Sequence, residues 1–206
     1  MYRNYIKRML DIIFSLVLII LLSPLLLIIA VLIRIKMGYP ILFIQERVGK
    51  DTNLFTIYKF RTMKKEGHGD NSDVNRLTEL GKFFRKLSFD EFPQLFNILK
   101  GDMSFIGPRP LLRKYIPYYN NREIRRHDVR PGMTSLAGVK GRSKLLWDEQ
   151  FEYDVKYVEN LSFKLDLYIF LQTIPKVLRS TNMMVVGRKN TESFDVYRQK
   201  QLSKKK

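Results

Sequence analysis

The chain of 206 residues has no cysteine and only two histidines, His68 and His127. The first absence excludes a disulfide framework, a thiolate-ligated metal and a thiol nucleophile; the second excludes a histidine-rich metal site. Acidic residues are scarce too: 20 Asp and Glu stand against 37 Lys and Arg, a formal charge of +17 at pH 7. An excess of that size points to anionic partners: nucleic acid, an anionic membrane surface or phosphate-bearing substrates. No internal repeat is present, and only one apolar run approaches membrane-spanning length. The length suits one compact domain with one appended element.

That run is Ile12–Ile33, 22 residues without a charge, interrupted only by Ser15, Ser23 and Pro24. A straight helix of that length would reach about 33 Å, enough to cross a hydrocarbon core. Pro24 lies near the middle, lacks an N–H and crowds the carbonyl of Ile20, so the helix is expected to bend there. Ser23 is placed to hydrogen-bond a carbonyl one turn back. Each half alone, about 18 Å, is too short to cross. Arg3, Lys7 and Arg8 flank the run on one side, and Arg34, Lys36, Arg47 and Lys50 on the other. A positive-inside bias on both flanks fits a hairpin that enters and leaves the same leaflet; a kinked transmembrane helix is the alternative.

Ile41–Val48 and Leu54–Thr62 read as the strands of a β-hairpin, with Phe55, Ile57, Lys59 and Arg61 on one face. The two cations there make either an anion site or a solvated edge. A polar loop over 63–75 precedes a helix from Thr78 to about Leu87, with Leu80, Phe83, Phe84 and Leu87 inward. Phe92, Leu95, Phe96 and Leu99 then space an amphipathic helix ended by Gly101. Pro93 is tolerated only in a first turn, so this helix is expected to start near Asp90. Asp90 and Glu91 then sit at a helix N-terminus, as an ionised acidic pair or as part of a Ser88–Glu91 capping box. Two prolines hold Arg109 rigid in Gly107-Pro-Arg-Pro110, either as a phosphate fork or as an incidental turn residue. Tyr153–Arg179 reads as a further helix with a broad apolar stripe, against the core or half-buried in the membrane surface.

An acidic pair amid cations fits a site where a divalent cation meets phosphates, since Mg²⁺ takes one or two carboxylates plus phosphate oxygens. A carboxylate can also attack phosphorus and form a covalent intermediate.

Six stretches occur in an order that resembles the bacterial sugar transferase family, the monotopic phosphoglycosyl transferases, in its small, catalytic-domain-only form. They are Lys7-Arg-Met-Leu-Asp11, Leu22-Ser-Pro24, Phe55–Met63, Leu87–Leu95, Gly101–Pro110 and Arg130-Pro-Gly132. The resemblance extends to about Leu178. It implies that Asp90 attacks the β-phosphate of a UDP-sugar, releases UMP and carries the sugar phosphate to a polyprenyl (undecaprenyl) phosphate. Glu91 would assist, with Mg²⁺ held at the pair through Asp90. Lys59, Arg85, Arg109 and Arg142 match phosphate- or nucleotide-binding cations, and Arg61 joins them as a candidate from the strand pattern. Ser23 and Pro24 match the break of a re-entrant helix. An acetamido sugar is the family-level donor. Departures are Phe89 and Phe92 beside the acidic pair, Ser135-Leu136 where many relatives carry Gly-Trp, and Lys140 where Asn is common.

The expected fold is mainly α with a small β-hairpin (α+β), monotopic, with a Pro-broken N-terminal re-entrant hairpin and amphipathic interfacial helices. Residues 1–36 form the anchor, 37–185 a cytoplasmic catalytic domain and 186–206 a basic tail, at the bacterial inner (cytoplasmic) membrane. Expected partners are the UDP-sugar, polyprenyl phosphate and membrane lipid, with a homodimer left open and no nucleic acid. The competing reading is a membrane-tethered basic protein that binds nucleic acid or anionic lipid without catalysis. No nucleic-acid recognition motif or basic–aromatic array supports it.

Overall fold

The computed structural model describes residues 1–64, 76–141, 144–178 and 192–203. The whole apolar run lies in one helix, α1 (Lys7–Met37), entered through a π-helical turn at Tyr2–Ile6. Pro24 sits inside α1 without ending it. The carbonyl of Ile20 has no N–H to receive from Pro24 and accepts the Ser23 hydroxyl instead, at 2.8 Å. Among the described residues, Tyr2–Met37 is the one helix long and apolar enough to cross a membrane.

Only one stripe of α1 touches protein. Leu18, Ile19 and Leu22 pack with Ile57, Leu95, Ile98 and Met103; Leu25, Leu26, Ile29 and Ile33 pack with Phe60 and Phe84. The opposite face leaves Ile13, Phe14, Val17, Ile20, Leu21, Leu27, Ile28 and Val31 exposed. A helix that is apolar all round yet half uncovered needs lipid or protein over the bare face.

Strands β1 (Leu42–Val48) and β2 (Leu54–Phe60) form the expected antiparallel hairpin, with Val48 opposite Leu54. Helix α2 (Glu79–Lys86) starts at Thr78, whose hydroxyl accepts the Gly81 N–H. Phe84 is buried as expected, but Phe83 is 53% exposed. Helix α3 (Gln94–Lys100) ends at Gly101, whose φ of +104° suits glycine. Its buried face differs from the spacing-based one: Gln94, Leu95, Asn97 and Ile98 are inside and Phe96 is exposed. Asn97 is inward because it completes the free edge of β2, accepting the Tyr58 N–H at 3.1 Å and donating to the Thr56 carbonyl at 2.7 Å.

A second, parallel pair joins β3 (Ser104–Ile106) to β4 (Gly132–Thr134). Beyond β4 lie α4 (Leu136–Lys140), α5 (Trp147–Glu159), α6 (Phe163–Leu178) and α7 (Phe194–Ser203). The single helix expected over Tyr153–Arg179 is thus two helices, interrupted at Asn160–Ser162. In the α6 stripe, Ile169 is fully buried and Leu165 packs on the core, while Phe163, Leu167, Phe170 and Ile174 face outward. Within the stretch expected as a tail, Phe194 of α7 is fully buried among Tyr115, Tyr118, Tyr119, Trp147 and Phe151. Lys204–Lys206 and the boundary at 186 lie outside the described residues.

Candidate active site

Asp90 and Glu91 occupy a single 3₁₀ turn, Phe89–Glu91, ahead of α3. Ser88 enters that turn at φ +57° and makes no side-chain cap, so the capping box is not formed. Pro93 stands at the N-cap of α3, and the helix begins at Gln94 rather than near Asp90. Pro93 has no N–H for the carbonyl of Phe89, which instead receives the Phe92 N–H in a tighter bond. Phe89 contacts both Phe83 and Phe92, with centroids 6.4 and 5.2 Å apart, so the aromatic departures brace the turn.

Cations surround the pair. Lys59 Nζ lies 2.6 Å from Glu91 Oε1, and Arg109 Nη2 lies 3.5 Å from the same oxygen. Burial, then the charge of Glu91, pushes the Asp90 carboxyl up to about 6, against the pull of Lys59 and Arg85. At pH 7 and above Asp90 is therefore mostly ionised but held in an unfavourable setting. An anionic oxygen with incomplete solvation is more reactive as a nucleophile than a freely hydrated carboxylate, and the cations beside it make the turn a favourable place for negative charge.

Three local devices place these cations. Lys59 is carried by β2, fixed through Asn97 to the helix that follows the acidic pair. Arg85 donates from Nε to the Thr62 hydroxyl at 3.0 Å. That contact needs α2 to approach closely: a Cβ on Gly81 would lie 2.1 Å from the Thr62 carbonyl oxygen. Arg109 is held through its backbone, since its carbonyl accepts a 2.7 Å bond from Arg126. Arg126 in turn pairs with Asp154 at 2.8 Å, both side chains 1% exposed.

Arg61, grouped by alternation with Lys59, does something else. It is 7% exposed and donates to the carbonyls of Met37, Gly38 and Tyr39, closing the C-terminal end of α1. Those carbonyls occupy both terminal nitrogens of its guanidinium, so here it serves the end of α1 rather than facing Glu91 as Lys59 does. Arg142 lies outside the described residues. Arg8, read as a membrane flank, and Arg130, quoted only within a motif, cap the end of α3 by donating to Ile98, Leu99 and Gly101 carbonyls. Two further residues escaped sequence reasoning. A cleft of about 70 Å³ beside Glu91 is lined by Arg47, Lys59, Gln94, Arg109 and Met133, among others. Arg47 had read only as a membrane flank, and Gln94 appeared only as part of the Leu87–Leu95 motif.

Among the described residues no group of three or more Asp, Glu, His or Cys is placed to hold a metal ion. Adjacent Asp90 and Glu91 still suit Mg²⁺, which completes its shell with substrate phosphate oxygens and water.

A helix apolar on every side, packed along a domain whose half-buried acidic turn is ringed by cations, defines a membrane-associated protein with a charged site beside its anchor. The sequence model of the bacterial sugar transferase family matches residues 2–180, and the chain belongs to that family. It is 43% identical over 192 residues to the uncharacterized sugar transferase EpsL of Bacillus subtilis (strain 168), covering 92% of this chain and 95% of that protein. It is also 43% identical over 187 residues to the UDP-N-acetylgalactosamine-undecaprenyl-phosphate N-acetylgalactosaminephosphotransferase of Aeromonas hydrophila, 84% of this chain but 44% of the relative. Similarity to the UDP-glucose:undecaprenyl-phosphate glucose-1-phosphate transferase of Caulobacter vibrioides is 37% over 191 residues, 85% of this chain and 71% of that one. The protein is a phosphoglycosyl transferase by family.

Proposed function

We propose that the protein transfers a sugar 1-phosphate from a UDP-sugar, an acetamido sugar by family expectation, to undecaprenyl phosphate at the cytoplasmic face of a bacterial inner membrane. This would be the first step of a glycoconjugate pathway. The observation that carries the reading is the acidic turn, with Asp90 shifted to about 6 and Lys59, Arg85 and Arg109 gathered round it. An Asp90 oxygen attacks the β-phosphorus, the bond from that phosphorus to the bridging oxygen breaks, and UMP leaves with the electron pair. A phosphate oxygen of the polyprenyl acceptor then attacks the same phosphorus, freeing the Asp90 carboxylate and forming the diphosphate link. Lys59, Arg85 and Arg109 offset the negative charge that builds up on the phosphates. Glu91 keeps Lys59 and Arg109 in place and assists the carboxylate and the incoming phosphate. Asp90 and Glu91 would hold Mg²⁺, which supplies charge neutralisation at the diphosphate.

Incubating the purified protein with a panel of UDP-sugars and Mg²⁺, without acceptor, is expected to release up to one equivalent of UMP from the preferred donor. Added polyprenyl phosphate converts this to turnover. No UMP from any donor would overturn the reading.

The proposal includes a monotopic anchor dipping into one leaflet. Its support is that both ends of α1 are tied to the same domain, Arg8 to the end of α3 and Arg61 to residues 37–39. A span perpendicular to the membrane would draw the domain packed along its middle, with Lys59 and Glu91, into hydrocarbon. Because the chain lacks cysteine, Asn4→Cys and Lys36→Cys make clean single reporters. An impermeant thiol reagent is expected to label both from the cytoplasmic side of oriented vesicles; labelling from opposite sides would establish a span.

A further inference from the structure

The cleft beside Glu91 contains an incongruity that the proposed chemistry leaves unexplained. Gln94 is 3% exposed, and its side-chain amide nitrogen is buried with no hydrogen-bond partner among the described residues. A buried donor left unpaired disfavours the folded state, and natural proteins rarely keep one without use for it. Its surroundings are chemically one-sided. Arg47, Lys59 and Arg109 line the same cleft, and Glu91 is the one acid among its lining residues. Arg47 is half-buried and, among the described residues, its side chain donates to the neutral Gln45 amide, at 2.5 Å. Burial, then the nearby charge of Arg109, pulls its guanidinium below the ordinary value. Two guanidinium groups repel each other across a partly buried cleft, with an idle amide beside them. The missing complement is an anion that accepts several hydrogen bonds at once.

We propose that Gln94 and Arg47 form the inner wall of a phosphate subsite, the Gln94 amide donating to a non-bridging phosphate oxygen while Arg47 balances its charge. This deepens the function proposed above and rests on it. The small cleft suits a single phosphate group, with the rest of the substrate outside it. That group is either a phosphate of the soluble nucleotide donor or the headgroup phosphate of the lipid acceptor.

The substitutions Gln94→Leu and Gln94→Glu separate a ligand role from a packing role. Leu keeps the volume and removes the unpaired donor; Glu keeps the shape and puts a carboxylate among the cations. Without ligand, both are expected to melt at or above the wild-type temperature, because each relieves the unpaired amide. With UMP as probe, titrated by calorimetry, Leu is expected to weaken binding about tenfold or more and Glu further still. Discharge of the sugar-phosphate adduct by a short-chain polyprenyl phosphate provides the second arm. Weakened UMP binding assigns the subsite to the donor, and slowed discharge alone assigns it to the acceptor. Arg47→Gln should reproduce the defect of the Leu variant in the same arm. Unchanged behaviour in both arms, or lower melting temperatures with unchanged affinity, would make Gln94 a packing residue and overturn the proposal. Wild-type UMP release runs in parallel, so failure of the subsite stays distinct from failure of the transferase reading.

Discussion

Asp90→Asn is expected to reduce UMP release by about three orders of magnitude or more while making the protein more stable at pH 8. The loss follows from removing the attacking oxygen. The stability gain follows from the raised pKa. The folded protein holds the Asp90 proton more tightly than the unfolded chain does, with a pKa of about 6 against an ordinary 3.8. Above pH 6 the carboxyl is ionised in both states, and that ionisation disfavours the fold. The penalty fades as pH falls through 6 and is absent below about pH 4, where both states are protonated. Allowing for partial exposure, Asn should add about 1–2 kcal/mol at pH 8, roughly 2–8 °C in melting temperature, and nothing at pH 3.5. The same shift predicts that wild-type kcat/KM falls on the acid side near pH 6. Because Glu91 is the second cause of the shift, Glu91→Gln should move that limb to lower pH in its residual activity. An acid limb in the ordinary carboxylate range would remove Asp90 from the nucleophile's role.

The second large effect concerns a residue that touches no substrate. Gly132→Ala is expected to cost more than about 3 kcal/mol, or to prevent folding, because the added Cβ would lie 2.1 Å from the Gly107 nitrogen and 2.4 Å from the Thr134 oxygen. Both are backbone atoms of the parallel β3–β4 junction, which no rotamer change can clear. Gly107 leads directly into Pro108-Arg109-Pro110, so any accommodation moves Arg109 away from Glu91. Thermal unfolding together with UMP affinity checks the prediction. Gly138→Ala serves as the contrast, since its Cβ would meet only the Ser135 hydroxyl at 3.1 Å, and it should stay within about 1 kcal/mol of wild type.

What was readable in advance tracked the physical range of each interaction. The apolar run, the β1–β2 hairpin and the Thr78 helix start are local, and composition or short-range spacing displays them. The Ser23 hydroxyl was foreseeable because its partner, Ile20, is three residues away. The tasks of Arg61, Asn97, Arg8 and Arg130 were hidden because their partners lie 22 to 91 positions distant. Periodicity misjudged α3 for a related reason: it favours apolar residues for the inside, while this helix buries Gln94 and Asn97 for their amides and leaves Phe96 out. The acidic pair drew attention as residues 90 and 91, but its geometry depended on Ser88 adopting a left-handed conformation that only the folded neighbourhood selects.

Arg61 closes the end of α1 from a position two residues beyond Lys59, and an extended strand advances about 3.3 Å per residue. A backbone spacing of roughly 7 Å therefore links the C-terminal end of α1 to the residue that carries the Lys59 ammonium. Strand β2 works as a depth gauge: however far α1 sinks, the Lys59–Glu91 pair sinks with it. Under the proposed function, donors that differ in their sugar would thus all be read at one fixed height above the acyl chains.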